Sequence, residues 1–296
     1  MKERDGVFYR IEEHGVVIDS CEDIEGELVI PDEVSGKAVT EAAPYAFSRK
    51  RITELTLPRY LKYAGKYLLY RCFSLKKLCF SDAWQDIGAG AFTGCRPEEI
   101  EIDFYDGEKS CLKFLVDEIR FELRVTMHYH QPDGTVRTAK VIFPEHYEEA
   151  VENTPARIVE THYHGSGGYY RQCFYNKELN YGEYDSLLPW AIAEEEEEVV
   201  VDIAACRLRF PYKLTEEAKK RYEEYLKEHM NCAGERYVLR EDTDMLRFFG
   251  QAGYWTEKAL DEAIERASEE KSPVVLSLLM EEKHRCFPKK KKVFEL

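Results

Sequence analysis

Two pairs of histidines are the residues of this chain best suited to metal chemistry. They are His128/His130 and His162/His164, and His-x-His spacing places both side chains of a pair on one face of a β-strand. Neutral imidazoles spaced in this way can bind a transition metal, and Glu160, on the same face as His162, could add a carboxylate. The simpler interpretation is that His128 and His130 lie on the polar side of a strand, where any polar residue fits.

The second pair belongs to the glycine-rich stretch ETHYHGSGGYYRQC, residues Glu160 to Cys173. The loop lacks the Gly-Lys-Ser/Thr of a phosphate-binding loop, and His164 occupies the first glycine position of a nucleophile motif centred on Ser166. We therefore expect a hairpin loop whose glycines adopt positive φ angles, rather than a phosphate or nucleophile site.

An arginine beside two tyrosines follows the loop. Arg171, Tyr169 and Tyr170 could stack on a ligand or a partner, although an arginine more often covers an aromatic ring of its own protein. Cys173 has no helix amino end predicted nearby that would activate its thiol, so we expect it to be a packed strand residue. No catalytic residue and no cofactor are expected.

The elements that position these residues begin with a repeat. Apolar residues recur after 23 residues, and the matched pairs are Leu55 and Leu78, Leu57 and Phe80, Leu69 and Phe92, and Cys72 and Cys95. A longer copy lies upstream around Leu28 and Ile30, and a fragment downstream contains Ile100 and Ile102, which gives three units and a fragment. Each Leu-x-Leu predicts a short strand with one buried face, and stacking the units predicts a solenoid.

Three strings carry a family pattern in this repeat: LVIPDEVSGKAVTEAAPYAF, ITELTLP and IGAGAFTGCRPEEIEI. They resemble the BspA-like leucine-rich repeats, whose pattern is a strand ending in Ile-Pro, then Ile-Gly, then Ala-Phe-x-Gly-Cys. The resemblance covers residues 26–102, and the middle unit departs from it at Ala64-Gly65 and Leu68-Leu69. It implies a largely bacterial, often surface-associated repeat that binds proteins or other macromolecules.

Residues 105–190 are expected to form a β-rich region that caps the solenoid of residues 1–104. Phe121 to His130 alternates apolar and polar residues, which predicts a long half-buried strand. The turn QPDG and the string TVRTAKVIF predict a hairpin with a loop longer than two residues. The expected cross-strand partners are Leu123 and Phe143, Val125 and Val141, and Met127 and Ala139.

The rest of the central region is predicted to contain a short helix and a second hairpin. The helix is expected over residues 144–153, and the hairpin over residues 156–176, with its turn at Gly165 to Gly168. Because an uncapped solenoid end leaves an apolar edge in water, the region should pack directly on the unit near Ile100 and Ile102. A fragment ending at residue 104 should therefore aggregate.

Residues 191–296 are predicted to be helical, which makes the fold class α+β. A helix over residues 194–210 should place Val199, Ile203, Cys206 and Phe210 inward, and Thr215 should be the N-cap of the next helix. Three shorter helices follow, broken at residues 250–253 and 272–273. Their pattern resembles a single ankyrin-like helical unit.

Composition narrows the function of these 296 residues. Acidic residues outnumber basic ones 57 to 42, so the net charge of −15 disfavours nucleic acid as the main partner. The nine scattered cysteines indicate reduced thiols, and no window is apolar enough for a membrane span.

We expect a cytoplasmic, non-enzymatic protein that binds another protein; a secreted or cell-surface location applies if a signal peptide was removed. A metal-binding domain or metal-dependent enzyme built on the four histidines is the alternative.

Overall fold

The chain folds into two units, Met1–Glu194 and Glu195–Leu296. The structure is a computed structural model that describes residues 2–153 and 158–288. The first unit contains the repeat solenoid and the central strands, and the second is helical. The predicted α+β class is confirmed, whereas the boundary that we place at residue 104 stays an expectation.

The strands belong to the first unit, together with four short helices. The strands are β1 Lys2–Arg4, β2 Val7–Ile11, β3 Val16–Cys21, β4 Glu25–Val29, β5 Glu33–Val34, β6 Lys37–Ala42, β7 Arg51–Thr56, β8 Tyr63–Ala64, β9 Lys77–Ser81, β10 Asp86–Ile87, β11 Glu99–Phe104, β12 Leu123–His130, β13 Val136–Phe143, β14 Tyr147–Asn153, β15 Ile158–His164, β16 Phe174–Tyr175 and β17 Glu178–Leu179. The helices are α1 Leu112–Glu118, α2 Gly167–Tyr170, α3 Tyr181–Ser186 and α4 Leu188–Glu194.

The strands of the repeat region belong to two sheets. One has the order β1-β2-β3-β6-β8-β10, with β5 paired to β6, and the other has the order β13-β12-β11-β9-β7-β4. In the second sheet the repeat strands run parallel, one repeat per strand, so that Leu28, Leu55, Leu78 and Ile100 form one buried row. Stacking identical positions joins the apolar edges of the repeats into one core.

The recurring cysteines satisfy backbone carbonyls of the preceding coil. The Cys72 thiol donates to the carbonyl of Phe47 at 2.9 Å, and the Cys95 thiol donates to the carbonyl of Leu69 at 2.8 Å. Both side chains are buried, so each small thiol fills the core and satisfies a carbonyl that water cannot reach. All nine cysteines lie in the described ranges and are free thiols.

The predicted central hairpin continues the repeat sheet. β12 runs parallel to β11, pairing Ile100 with Val125 and Ile102 with Met127. β13 returns antiparallel with the expected register, and its partners are Leu123 and Phe143, Val125 and Val141, and Met127 and Ala139. The predicted packing on the last repeat and the predicted register are both confirmed. Because one face of β12 is buried at every second residue, a shift by one residue would expose that row.

Two predictions for the following segment are wrong. Residues 147–153 form strand β14 rather than a helix, because they pair antiparallel with β15 over residues 158–164. β15 therefore pairs with β14, the strand before it, and not with the residues that follow the glycines. Gly167 and Gly168 are part of helix α2 and do not form a hairpin turn. Pairing between strands outweighed the local helix signals at Pro144 and the neighbouring glutamates.

The second unit consists of helices. They are α5 Glu197–Arg209, α6 Glu216–Glu228, α7 Met230–Leu239, α8 Thr243–Gln251, α9 Glu257–Glu269 and α10 Pro273–Cys286. Thr215 caps α6 as predicted, by accepting from the backbone N–H of Ala218 at 3.2 Å. In helix α5 every residue from Val200 to Leu208 is buried, whereas the sequence predicted burial of one face only. Helix α7 was not predicted from the sequence. Across the described ranges, no helix is long and apolar enough to cross a membrane.

Candidate binding surface

The outward side of the six-stranded sheet forms one continuous surface, which we call the sheet face. Side chains alternate along each strand, so the residues between the buried ones point outward. One row of outward residues crosses every strand of the sheet in register: Val29, Thr56, Cys79, Glu101, Thr126 and Lys140. The sheet face also includes Lys77, Asp103, His128 and His130 on neighbouring rows.

The first histidine pair lies on the sheet face and ties the hairpin to the last repeat. His128 Nε2 lies 3.0 Å from Glu101 Oε1, and its Nδ1 lies 3.2 Å from Thr138 Oγ1. His130 Nε2 lies 2.6 Å from Asp103 Oδ1. Each histidine therefore contacts a carboxylate of β11, and His128 uses both ring nitrogens within the sheet. The two carboxylates are partners that we did not identify, although their alternate positions on an outward-facing strand were visible in the string EIEID.

A charged chain extends from these histidines toward the earlier repeats. Lys77 Nζ lies 2.7 Å from Glu101 Oε2, so the Glu101 carboxylate contacts a cation on one side and His128 on the other. Burial alone would raise the pKa of Glu101, but the hydrogen bond and charge of Lys77, with a smaller contribution from His128, hold it below its ordinary value. The hydrogen bond to Glu101 in turn raises the pKa of Lys77. The centre of the sheet face is thus ionised and cross-linked between strands.

One end of the sheet face is formed by a stack of three side chains. The guanidinium of Arg59 lies 3.6 Å from the ring centroid of Tyr105, whose ring stacks on His130 at 4.3 Å. The carboxylate of Asp82 accepts from the backbone N–H groups of Tyr105 at 2.8 Å and Asp106 at 2.6 Å. The loop after β11 therefore has a defined conformation that places Tyr105, an exposed aromatic, beside His130.

The second histidine pair lies in a different sheet. His162 and His164 are on β15, which pairs with β14 in a two-stranded sheet. His164 Nε2 lies 3.2 Å from Glu149 Oε2, and its ring stacks on Tyr147 at 4.5 Å. The side chain of Glu160 lies outside the described residues. Within the part of the chain that is described, no three or more His, Cys, Asp or Glu side chains are grouped so that they could hold a metal ion.

Arg171 and Tyr170 lie in the interior, which corrects their interpretation as partner-binding residues. Arg171 is only 2% exposed, and Tyr170 is fully buried. The Arg171 guanidinium donates to backbone carbonyls of Val116, Ile119, Phe121, Pro144 and Gly167. Of the three residues, Tyr169 alone is exposed, and its ring lies 5.2 Å from that of Trp190. The arginine therefore holds several backbone segments together instead of contacting a partner.

The glycine loop has a structural role different from the expected hairpin turn. Gly165 has the expected positive φ of 80°, but Gly167 begins helix α2 and lies against the backbone. A Cβ atom on Gly167 would lie 2.1 Å from the carbonyl oxygen of Pro144 and 2.7 Å from Arg171 Nη1. Glycine is required at residue 167 because another segment of backbone approaches it closely, a role that glycine-rich spacing by itself does not distinguish from a turn.

The parallel coils, buried leucine rows and one-repeat-per-strand ladder define a leucine-rich repeat solenoid within the first unit. The family model of the BspA type leucine rich repeat region matches residues 29–111 in six copies. Residues 29–111 are therefore a BspA-type leucine-rich repeat region, which confirms the resemblance, although the spacing predicted three units and a fragment. The ankyrin-like interpretation of the carboxy-terminal helices is not confirmed. Comparison with the curated proteins gave no match to the chain, and comparison with the solved structures gave none either.

Proposed function

We propose that this protein is a non-enzymatic module that binds another protein through the sheet face. Leucine-rich repeats of this family indicate a protein-interaction module in general terms. The finer assignment, to one surface of the solenoid, depends on how the hairpin joins the repeats.

The observation that carries the proposal is the continuation of the repeat sheet by β12 and β13. The last repeat contributes Glu101 and Asp103, and the hairpin contributes His128 and His130, which lie against them. The sheet face therefore combines side chains of the repeats with side chains of the hairpin, which is not part of the repeat pattern. A rigid sheet that presents individual polar side chains suits selective recognition, because hydrogen-bonded side chains lose little freedom when a partner binds.

The size of the sheet face supports a modest interface. Six strands about 4.8 Å apart, five to eight residues long at about 3.3 Å per residue, span about 24 Å by about 17 to 26 Å. The resulting area of about 500 Å² is below the roughly 800 Å² that each partner contributes to a stable interface of standard size. We therefore expect a reversible complex, extended by contacts from the flanking loops.

Site-specific photo-cross-linking tests the proposal in cells that produce the protein. A benzophenone amino acid is placed at Thr56 or Thr126, both on the outward row of the sheet face, and at the exposed Lys219 of α6 as a control. We expect the same protein to cross-link from both sheet positions and not from Lys219. The charge reversal Lys77→Glu should weaken the cross-link from Thr126, because Lys77 lies on the same face. Capture from Lys219 alone, or equally from all three positions, would contradict the proposal.

A further inference from the structure

A second surface of the first unit combines stacked tyrosines with exposed cations. It is formed by the turns that follow the short strands β6 and β8, and we call it the turn surface. Its residues are Tyr45, Arg49, Lys50, Tyr67, Tyr70, Arg71 and Phe73. None of them belongs to the sheet face, so an inference about this surface does not depend on the proposed function.

The tyrosines recur at one position of successive repeats. Tyr45 and Tyr67 have φ angles of 62° and 58°, a left-handed conformation that is uncommon for bulky residues. Their rings stack at 5.1 Å with an interplanar angle of 18°, and Tyr70 meets the Tyr67 ring edge-on at 5.7 Å. In the next repeat Gly90 occupies this position, where a Cβ atom would lie 2.5 Å from the Tyr67 ring. Glycine there leaves room for the tyrosine stack.

The cations form a second recurring position beside the tyrosines. Arg49 and Arg71 have φ angles of 58° and 60°, and both side chains are exposed. With Lys50, Arg51, Phe73 and Ser74 they line a shallow pocket of about 360 Å³. Phe73, one of the residues that line this pocket, is 70% exposed. The repeat thus places an apolar ring among four cations.

Three of these cations have no carboxylate partner among residues 2–153 and 158–288. Arg51 is paired with Glu25 at 3.1 Å. Among the residues that the structure describes, Arg49, Lys50 and Arg71 form no ion pair, and Arg71 contacts the Tyr70 ring instead, at 5.4 Å from its centroid. The net charge of −15 makes the protein as a whole repel anions, and this patch is a local positive exception.

We propose that the turn surface binds an acidic segment of a partner protein, in which aspartates or glutamates flank an apolar residue. Arginine guanidinium groups bind carboxylates through paired hydrogen bonds, which Arg49 and Arg71 are placed to make. Phe73 provides an apolar contact in the same pocket, and the Tyr70 ring, which Arg71 contacts, links it to the exposed rings of Tyr45 and Tyr67. A short acidic segment brings few negative charges close to this acidic protein, whereas a nucleic acid brings a long row of phosphates.

Fluorescence anisotropy on the full-length protein tests this assignment. The probe is a short fluorescent peptide of glutamate and aspartate with one central leucine, titrated at low and at high salt. We expect salt-sensitive binding that the double variant Arg49→Gln/Arg71→Gln weakens by about tenfold or more. Phe73→Ser should weaken binding without changing the charge, and thermal melts check that each variant remains folded.

The matched control removes the same charge elsewhere. Arg137→Gln/Arg247→Gln deletes two other exposed arginines and should leave the peptide affinity within about twofold of the wild type. Equal weakening in the control, or no binding of the peptide to the wild-type protein, would overturn the assignment. So would tighter binding of a single-stranded oligonucleotide at this surface, or a salt-sensitive self-association that the double variant abolishes. The cross-link from Thr126 should persist in the double variant, so the proposal for the turn surface and the proposal for the sheet face are tested separately.

Discussion

At the scale of single residues, Arg171 and Gly167 show how a motif that suggests chemistry can serve the fold. The Arg171 guanidinium reaches carbonyl groups as distant in sequence as Val116 and Phe121, and Gly167 lets the Pro144 carbonyl approach α2. A buried cation whose donors all meet carbonyl oxygens fixes the relative position of these segments. The junction between the central hairpin and helices α1 and α2 therefore depends on both residues.

The close approach of backbone to Gly167 is tested by a matched pair of variants. Gly167→Ala should lower the free energy of unfolding by about 3 kcal/mol, because its Cβ would lie 2.1 Å from the Pro144 oxygen and disturb the Arg171 hydrogen bonds. Gly168→Ala should change it little, since the nearest atom to its Cβ is the His146 ring carbon Cδ2 at 3.7 Å. Urea denaturation measures both, and equal effects of the two variants would contradict the close-approach role of Gly167.

His146, beside the same junction, predicts a dependence of stability on pH. Burial first, and then the charges of Arg171 and Arg120, lower the pKa of His146 to about 4 from 6.5. Between these values the unfolded chain takes up a proton that the folded protein does not, so this contribution to stability is present above pH 6.5 and lost as pH falls toward 4.

The variant His146→Gln removes the titrating group. Its urea midpoint should fall less than that of the wild type between pH 7 and pH 5, because glutamine stays neutral in both folded and unfolded states. Equal falls in the two proteins would show that His146 does not carry this contribution.

At the scale of elements, the hairpin of β12 and β13 is what completes the repeat sheet. It covers the edge of β11 with a full parallel pairing from Glu99 to Phe104. Without it, the last repeat would present unpaired backbone groups and an apolar edge to water. The hairpin therefore covers the β11 edge of the repeat sheet and also contributes His128 and His130 to the sheet face.

Truncation tests the capping role. A fragment of residues 1–104 should aggregate or be insoluble, whereas a fragment of residues 1–194, which retains the whole first unit, should be a soluble and folded protein. Light scattering and circular dichroism distinguish these outcomes. A soluble, folded monomer of residues 1–104 would show that the last repeat needs no cap.

The elements that could be predicted from the sequence are those with a strong period. Alternation from Leu123 to Tyr129 predicted both the strand and its register, because only one register buries the apolar row. Strand β14 could not be predicted, since it forms by pairing with β15 and its own sequence favours a helix. The histidine contacts with Glu101 and Asp103 were likewise hidden, because they join residues 27 positions apart.

At the scale of the whole molecule, two surfaces of one solenoid are proposed for different partner contacts. The sheet face presents paired charges of both signs at Lys77, Glu101 and His128, while the turn surface presents cations and aromatic rings. A net charge of −15 should keep the protein soluble and raise the salt sensitivity of any contact at the turn surface. Protein binding through the sheet face remains the central claim, and it can be tested before the partner is known.

Alkylation of Cys79 tests that claim most directly. Cys79 is half-buried in the middle of the outward row, and the half-buried Cys286 of α10 serves as an internal reference. Burial raises the pKa of both thiols in the free protein. Mass spectrometry should find that N-ethylmaleimide labels Cys79 several-fold more slowly in fresh native cell extract than in purified protein, with Cys286 unchanged. Equal labelling of Cys79 in extract and in purified protein would contradict a partner bound at the sheet face.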